Sequence, residues 1–487
     1  MKNCCYLIAF FLFLVLGVNA QPMISDFTFN GTGHWQTPNL EQNGNSMALL
    51  QNGQLMVCGS NAVYRLNNNG TIDSTFGVNG RFKMAAAVFN KIDSFGSGLI
   101  VAGSISNIPA LIILKNNGTP DSTYGAASDG QFIFNALGTG AVYDFYTNDP
   151  SYAIWMCGVQ NTGTGDDGFV GVLRTLNTYI PADCSSTNTS VTDGFYSITQ
   201  SSAPLRIVVG GMHNNTVGLM RAFVGYGNNL PIDSTFNSNG IYEYLAAQPT
   251  CIYDLESSMV GETYYSMQMG NGVMAGKLKA DGTSSSTYSN NSAFAFPDCN
   301  GTFKPVIHLN SDGTLIFADR VSTDNALYIG RLNTIGNLDP SFGNNGVVLY
   351  KPDASPDLTF DVLQTPDGKI LISGQWNYLS DRLMFVDRFG DSVALGISSN
   401  YPDALKLEVF PNPVNNMVQV NFTLEQPAKV SWEISDMAGR IVKRKNSEEV
   451  LSSGEHKELA DLSDLHSGCY VLMFQSGNNT KAVRLIK

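Results

Sequence analysis

The chain repeats itself, and that repetition limits the folds open to it more than any single residue does. A phrase of Asp-Ser-Thr-aromatic followed by a Gly- and Asn-rich turn occurs at Asp73 to Gly77, with Phe76 as its aromatic, and at Asp121 to Gly125, with Tyr124. It returns at Asp233 to Phe236 and as Asp339-Pro340-Ser341-Phe342-Gly343. Degenerate copies lie near Asp183 and at Ser285 to Tyr288, and a further copy opens at Asp26 with Phe29 as its aromatic. From Asp73 onward successive copies are 48 to 62 residues apart.

An apolar segment ending at or near Gly keeps the same cadence, from Gln54 to Gly59 through Lys369 to Gly374, so that seven copies of each element can be counted. The clearest unit offers four strands, at Val347 to Tyr350, Thr359 to Gln364, Lys369 to Gly374 and Arg382 to Arg388, with Pro366-Asp367-Gly368 as a hairpin turn. Four short antiparallel strands about every 52 residues predict the blades of a β-propeller; a string of β-sandwich domains would repeat nearer every ~100 residues. The last unit keeps Arg382 to Arg388 but lacks the turn phrase, whereas Asp26 to Gly31 carries the phrase with no strand before it. Joined, they make one composite blade, and a closed ring of seven blades leaves no sheet edge exposed. Each repeated Asp is expected to accept backbone N–H groups of its own turn, with the aromatic packing between blades.

The phrase, preceded by a strand such as Leu327 to Leu332 and followed by Asn345-Gly346-Val347, resembles the delta-60 repeat of bacterial surface and secreted proteins. That resemblance covers roughly Met23 to Gly390; it implies a propeller-like fold and brings no catalytic residues.

After Gly390 the pattern stops. The tail holds Pro411-Asn412-Pro413, a turn with Asp436 and Gly439, Gly468 and Tyr470 opening a strand, and a basic, apolar end from Lys481. In this order the motifs resemble the C-terminal sorting domain of the type IX secretion system of Bacteroidetes-type bacteria. The resemblance implies that machinery as a partner and a destination outside the cell or on its outer surface. Seven short strands are expected here, making a small immunoglobulin-like sandwich. At the other end Lys2, the apolar run Tyr6 to Val18 and Val18-Asn19-Ala20 read as a signal peptide cut between Ala20 and Gln21. The apolar run is too short to cross about 30 Å of hydrocarbon, and no transmembrane segment is expected in the mature protein. The expected division is a signal peptide over 1–20, a propeller over 21–395, a linker over 396–404 and the sorting sandwich over 405–487.

Charge excludes one class of partner. Gln21 to Ala404 holds 31 acidic residues against 17 basic, a net of −14, while Leu405 to Lys487 holds ten of each. Nucleic acid is a poor partner for such a surface, because binding it rests on Lys and Arg neutralising phosphates. The mature cysteines include no C-x-x-C pair; Cys251 with Cys299 is the disulfide to test first, and Cys58 and Cys157 read as small buried apolar residues. The five histidines are scattered, and no G-x-S-x-G, phosphate loop or H-E-x-x-H occurs. Neither a catalytic residue nor a cofactor nor a metal site is signalled. Asp166-Asp167-Gly168 is the best place for calcium, but it lacks a spaced set of oxygen ligands and reads as a solvated loop.

The expectation is therefore an all-β secreted or cell-surface protein, a seven-bladed β-propeller with a sandwich tail, whose ring presents a binding or adhesion face to a glycan or protein. Exposed aromatics such as Trp35, Trp155 and Trp376 could serve that face. The alternative is a secreted enzyme acting on glycan or peptide at the mouth of the ring, which would need unrepeated polar groups converging on the axis.

Overall fold

The protein is described by a computed structural model. It describes residues 23–38, 44–147, 153–161, 163, 165–174, 178–182, 194–202, 205–213, 217–224, 231–244, 250–270, 272–289, 293–296, 304–321, 326–350, 358–378, 381–391, 407–410, 414, 416–424, 426–436, 440–466, 468–476 and 479–487. The chain forms two compact units, Met1–Ser392 and Val393–Lys487.

In the first unit the described strands make seven antiparallel sheets. The innermost strands, from blade 1 to blade 7, are Ser46–Leu49, Ala87–Phe95, Thr139–Tyr146, Gly194–Ser202, Thr250–Ser257, Val306–Leu309 and Leu358–Gln364. Each packs beside the next, and Leu358–Gln364 packs beside Ser46–Leu49, so the ring is closed. The unit is a β-propeller.

Sequence units and blades are out of phase by one strand. Val347–Tyr350, which in the sequence opens the clearest unit, pairs instead with Leu327–Leu332 as the outermost strand of blade 6. Blade 7 takes its outer strands from the other end of the chain: Met23–Ser25 and His34–Gln36 both pair with Asp381–Asp391. The offset ties the two ends of the ring together by backbone hydrogen bonds.

The repeat phrase forms the latch between blades. The Asp26, Asp73, Asp121, Asp233 and Asp339 carboxylates each accept the backbone N–H two residues on, from Thr28, Thr75, Thr123, Thr235 and Ser341, at 2.9–3.1 Å. Arginine then clasps four of them. Arg388, Arg65 and Arg331, each from the third strand of its sheet, reach Asp26, Asp73 and Asp339 at 2.8 Å. Their guanidinium groups lie over Phe29, Phe76 and Phe342 at 4.7, 5.0 and 4.8 Å, within cation–π range. In blade 4 Arg206 comes from the second strand and takes the same role on Asp233 (2.6 Å) and Phe236 (5.4 Å). Arg388 and Arg65 also donate to a carbonyl of the next blade, Asn68 and Asn116, each at 2.6 Å. The degenerate copy at Ser285 replaces the whole clasp: Lys277 stands in for arginine, lies over Tyr288 at 5.2 Å, and pairs with Glu262 at 3.0 Å. Asp121 lines a separate cleft of about 620 Å³ with Tyr124. The copy near Asp183 falls outside the described residues.

Among the described residues the second unit has seven strands in two sheets. Leu407–Phe410, Met417–Leu424 and Gly454–Asp461 form one, and Ile441–Leu451, Ala428–Asp436, Cys469–Ser476 and Asn479–Ile486 form the other. Val418, Val420, Phe422 and Leu424 alternate inward along one strand and meet Ile434, Leu472, Phe474 and Leu485 in a shared core, as expected of strands buried on one face.

Candidate functional site at the axial mouth

Five inner strands carry a β-bulge near their start. Their register with the second strand skips at Asn90, Tyr143, Tyr196, Tyr253 and Phe360. A bulge re-aims the extra side chain out of the ladder, and all five line one pocket of about 260 Å³. Opposite four of the five bulges, in blades 2, 3, 4 and 7, stands a glycine of the second strand, whereas blade 5 has Met267 there. A Cβ on Gly103, Gly158 or Gly211 would lie 1.9, 2.1 or 1.8 Å from a carbonyl oxygen of the inner strand, so only glycine lets the two backbones approach.

Every blade contributes to this pocket, which marks it as the mouth of the axial channel. Polar side chains bridge six of the seven blade junctions there, counted among the described residues. Asn45 and Asn90 donate to the carbonyls of Phe89 and Val142 in the following blade, at 2.6 and 2.9 Å. Asp144, Asp254 and Asp361 accept the backbone N–H groups of Ile198, Ile307 and Met47, each in the next blade, at 2.9, 2.9 and 2.7 Å. Ser197 Oγ donates to Asp144 at 2.9 Å and accepts the Leu255 N–H at 3.1 Å.

These groups have unequal affinities for protons. Lys91 Nζ lies 3.5 Å from Asp144, and that carboxylate, opposed by desolvation, raises the lysine well above its ordinary value. Burial pushes Asp254 up to about 8 against the pull of Lys91 and the Ile307 N–H, so it is mostly protonated at neutral pH. Burial also raises Asp361.

Above the carboxylates lies an aromatic trough. Tyr143 and Tyr196 have ring centroids 5.2 Å apart, and Tyr196 and Tyr253 5.4 Å, tilted by 48° and 45°. Lys304 Nζ faces all three rings at 4.9, 5.1 and 5.9 Å. Lys304 comes from blade 6, whose inner strand pairs from Val306 without a bulge. Its side chain is exposed, and among the described residues no carboxylate forms an ion pair with it.

None of the repeat-phrase residues lines this pocket. Trp35 and Trp155 do not serve an exposed face: they are 3% and 0% exposed and lie in two separate blade cores. A large flat side chain fills the gap between two sheets better than it tolerates water. The Trp376 side chain and Cys299 lie outside the described residues, while Cys251, like Cys58 and Cys157, is a buried free thiol. Asp166 is exposed and takes the Asn161 amide at 2.8 Å. Among the described residues no cluster of three or more His, Cys, Asp or Glu is placed to hold a metal, and no helix is long and apolar enough to cross a membrane.

In the tail the backbone of Asp436 pairs opposite Tyr470, and that of Lys481 opposite Phe474. Gly468 and Lys487 exchange N–H to carbonyl hydrogen bonds at 2.8 and 2.9 Å, and the buried Tyr470 donates its hydroxyl to the His466 carbonyl at 2.9 Å. Ala20, Gln21, Pro411, Asn412, Pro413 and Gly439 lie outside the described residues, as do the side chains of Asp436 and Lys481.

Fold and tail together define a class, a β-propeller joined to an export signal. Residues 408–487 match the secretion system C-terminal sorting domain, and residues 51–76 match a domain of unknown function, the DUF5122 beta-propeller. The protein is thus a β-propeller protein ending in a type IX sorting domain, which directs it to the cell surface or the extracellular space. No curated protein matches the chain. Among solved structures it is similar to the periplasmic gluconolactonase PpgL of Pseudomonas aeruginosa, with 12% identity over 84% of this chain and 98% of that one, TM-score 0.42. It is also similar to the N-terminal domain of Nup159, with 9% identity over 76% and 98%, TM-score 0.41. An exo-beta-1,3-galactanase from Phanerochaete chrysosporium gives 9% identity over 70% and 94%, TM-score 0.31. Likenesses this distant carry no argument about activity.

Proposed function

We propose that the protein works outside the cell as a non-catalytic propeller that captures a ligand at its axial mouth. In this reading a leader cut between Ala20 and Gln21 takes it across the inner membrane. The tail, with Pro411, Asn412, Pro413, Asp436, Gly439, Gly468, Tyr470 and Lys481, hands it to the type IX machinery. The observation that carries the binding role is the convergence of Tyr143, Tyr196 and Tyr253 from three successive blades on one trough. A few convergent polar groups around an aromatic, concave site is the usual form of a ligand pocket. The three carboxylates beneath it are each occupied by a backbone N–H of the next blade, which supports a joint between blades more than an acid–base pair.

The test is to fractionate cells expressing the full chain and a form ending at Ser392, then screen the released protein against glycans and surface extracts. The full chain should reach the surface or medium and the shortened form should stay in the periplasm; ligand capture should be lost in Tyr196→Ala. Secretion of the shortened form, or capture unchanged by Tyr196→Ala, refutes the proposal. The enzymatic alternative has one observation in its favour: Asp144, Asp254 and Asp361 occur without a repeat-phrase counterpart in the axial pocket. Turnover of a captured glycan that is abolished by Asp254→Asn would establish it.

A further inference from the structure

The geometry points to a particular ligand class for the mouth: we infer that it takes a single carboxylate-bearing sugar residue, a uronic or sialic acid, at the end of a glycan. This rests on the binding role proposed above and narrows it.

Lys304 supplies the charge. Its ammonium faces the three tyrosine rings at 4.9–5.9 Å and is the cation of the pocket that no described carboxylate pairs with; Lys91, the pocket's other lysine, already faces Asp144. The carboxylates nearby do not cancel it: Asp144 faces Lys91 at 3.5 Å, and burial raises Asp254 and Asp361 toward their neutral forms. An incoming anion therefore meets an ammonium set against aromatic faces, with which its carboxylate forms a charge-assisted hydrogen bond.

The tyrosines supply the shape. Their rings tilt by 48° and 45° from one to the next, giving a trough in place of a flat slot. The electron-rich faces of tilted rings can meet the C–H groups of a puckered, saturated ring from more than one side. The volume, about 260 Å³, is below the range for drug-sized ligands and suits one ring. The net charge of −14 over Gln21 to Ala404 disfavours an extended polyanion, and a pocket the size of one ring suits a terminal acidic residue.

The full-length secreted protein can be titrated calorimetrically with methyl glucuronide and a methyl sialoside, with methyl glucoside as the neutral ring and acetate as the carboxylate alone. At least one acidic glycoside should bind at least about tenfold more tightly than glucoside or acetate. Lys304→Gln should remove that tenfold preference, so that acidic and neutral glycosides bind alike, while Tyr196→Ala should weaken both. Thermal melting of each variant shows whether the ring still folds; Lys304 is exposed, so Lys304→Gln should melt as the wild type does. Equal binding of glucuronide, sialoside and glucoside, or an acidic preference that survives Lys304→Gln, overturns the inference. Neutral sugars bound and lost in Tyr196→Ala would overturn it while leaving the binding role standing; capture of no glycan or surface component would overturn both.

Discussion

Arg388 Nε and an Asp26 carboxylate oxygen meet at 2.8 Å although 362 residues separate them in the chain. The same guanidinium lies over Phe29 and donates to the Asn68 carbonyl in blade 1, so one side chain joins the last blade both to the first turn phrase and to blade 1. Arg388 is buried and Asp26 half-buried, with 6% and 9% side-chain exposure. Arg388→Ala should destabilise the propeller by about 3 kcal/mol, the lower end for breaking a buried pair, because Lys369 remains 2.9 Å from Asp26. Urea denaturation read from propeller fluorescence measures it, and a cycle with Asp26→Ala isolates the pair.

Acid should loosen the same closure. Desolvation pulls Asp26 upward, but the hydroxyl and N–H of Thr28, with Lys369 and Arg388, outweigh it and hold the group at about 2. For Asp73 the Thr75 hydroxyl is the main cause of a value that is also about 2. A carboxyl lowered on folding adds stability above its unfolded value, near 3.8, and that contribution is lost as pH falls through its folded value. Melting temperature should drop between about pH 4 and pH 2, and more shallowly in Arg388→Ala.

Asp254 should act in the opposite sense. Its folded value of about 8 lies above the ordinary 3.8, so the folded state holds a proton that the unfolded chain releases, and stability declines as pH rises from about 4 to about 8. Asp254→Asn should flatten that decline, with the larger gain over wild type at the alkaline end. A slope unchanged in the variant would show that Asp254 is ionised in the folded ring.

Gly158 ties scaffold to site. A Cβ there would stand 2.1 Å from the Ala141 carbonyl oxygen, at the bulge that projects Tyr143. Gly158→Ala should cost about 2 kcal/mol or more through forced backbone displacement and weaken ligand capture as Tyr143 shifts. Gly53→Ala provides the contrast, since its Cβ would find only ordinary contacts with Asn68 beyond 3.4 Å; at φ +81° it should bring about 1–2 kcal/mol of backbone strain and no loss of binding.

The ring itself was readable because its unit repeats, and the turn phrase names its own job: Asp, a hydroxyl residue and an aromatic recur where a turn and a latch are needed. The clasping arginine was harder to see. A basic residue stands eight positions before the phrase at Arg65, Lys277 and Arg331, but blade 4 draws Arg206 from its second strand and blade 7 draws Arg388 from the far end of the chain, so the spacing holds in only part of the ring. The mouth left a fainter signal still. Tyr143-Asp144, Tyr253-Asp254 and Phe360-Asp361 are aromatic-Asp pairs inside apolar strands, but the bulge at each breaks the alternation by which inward and outward positions are told apart. The tryptophans misled because size and rarity say nothing about exposure: Trp35 and Trp155 are both core residues.

Blade 7 also sets a clock on the molecule. Met23–Ser25 and His34–Gln36 are synthesised some 350 residues before the strand they pair with, Asp381–Asp391. Until then both carry unpaired backbone groups, a template for pairing with the wrong chain. Among the described strands closure is the most sequence-distant pairing in the ring, the kind that carries the largest loop-closure cost in folding. A propeller sent abroad must be kept from its neighbours until its last strand arrives.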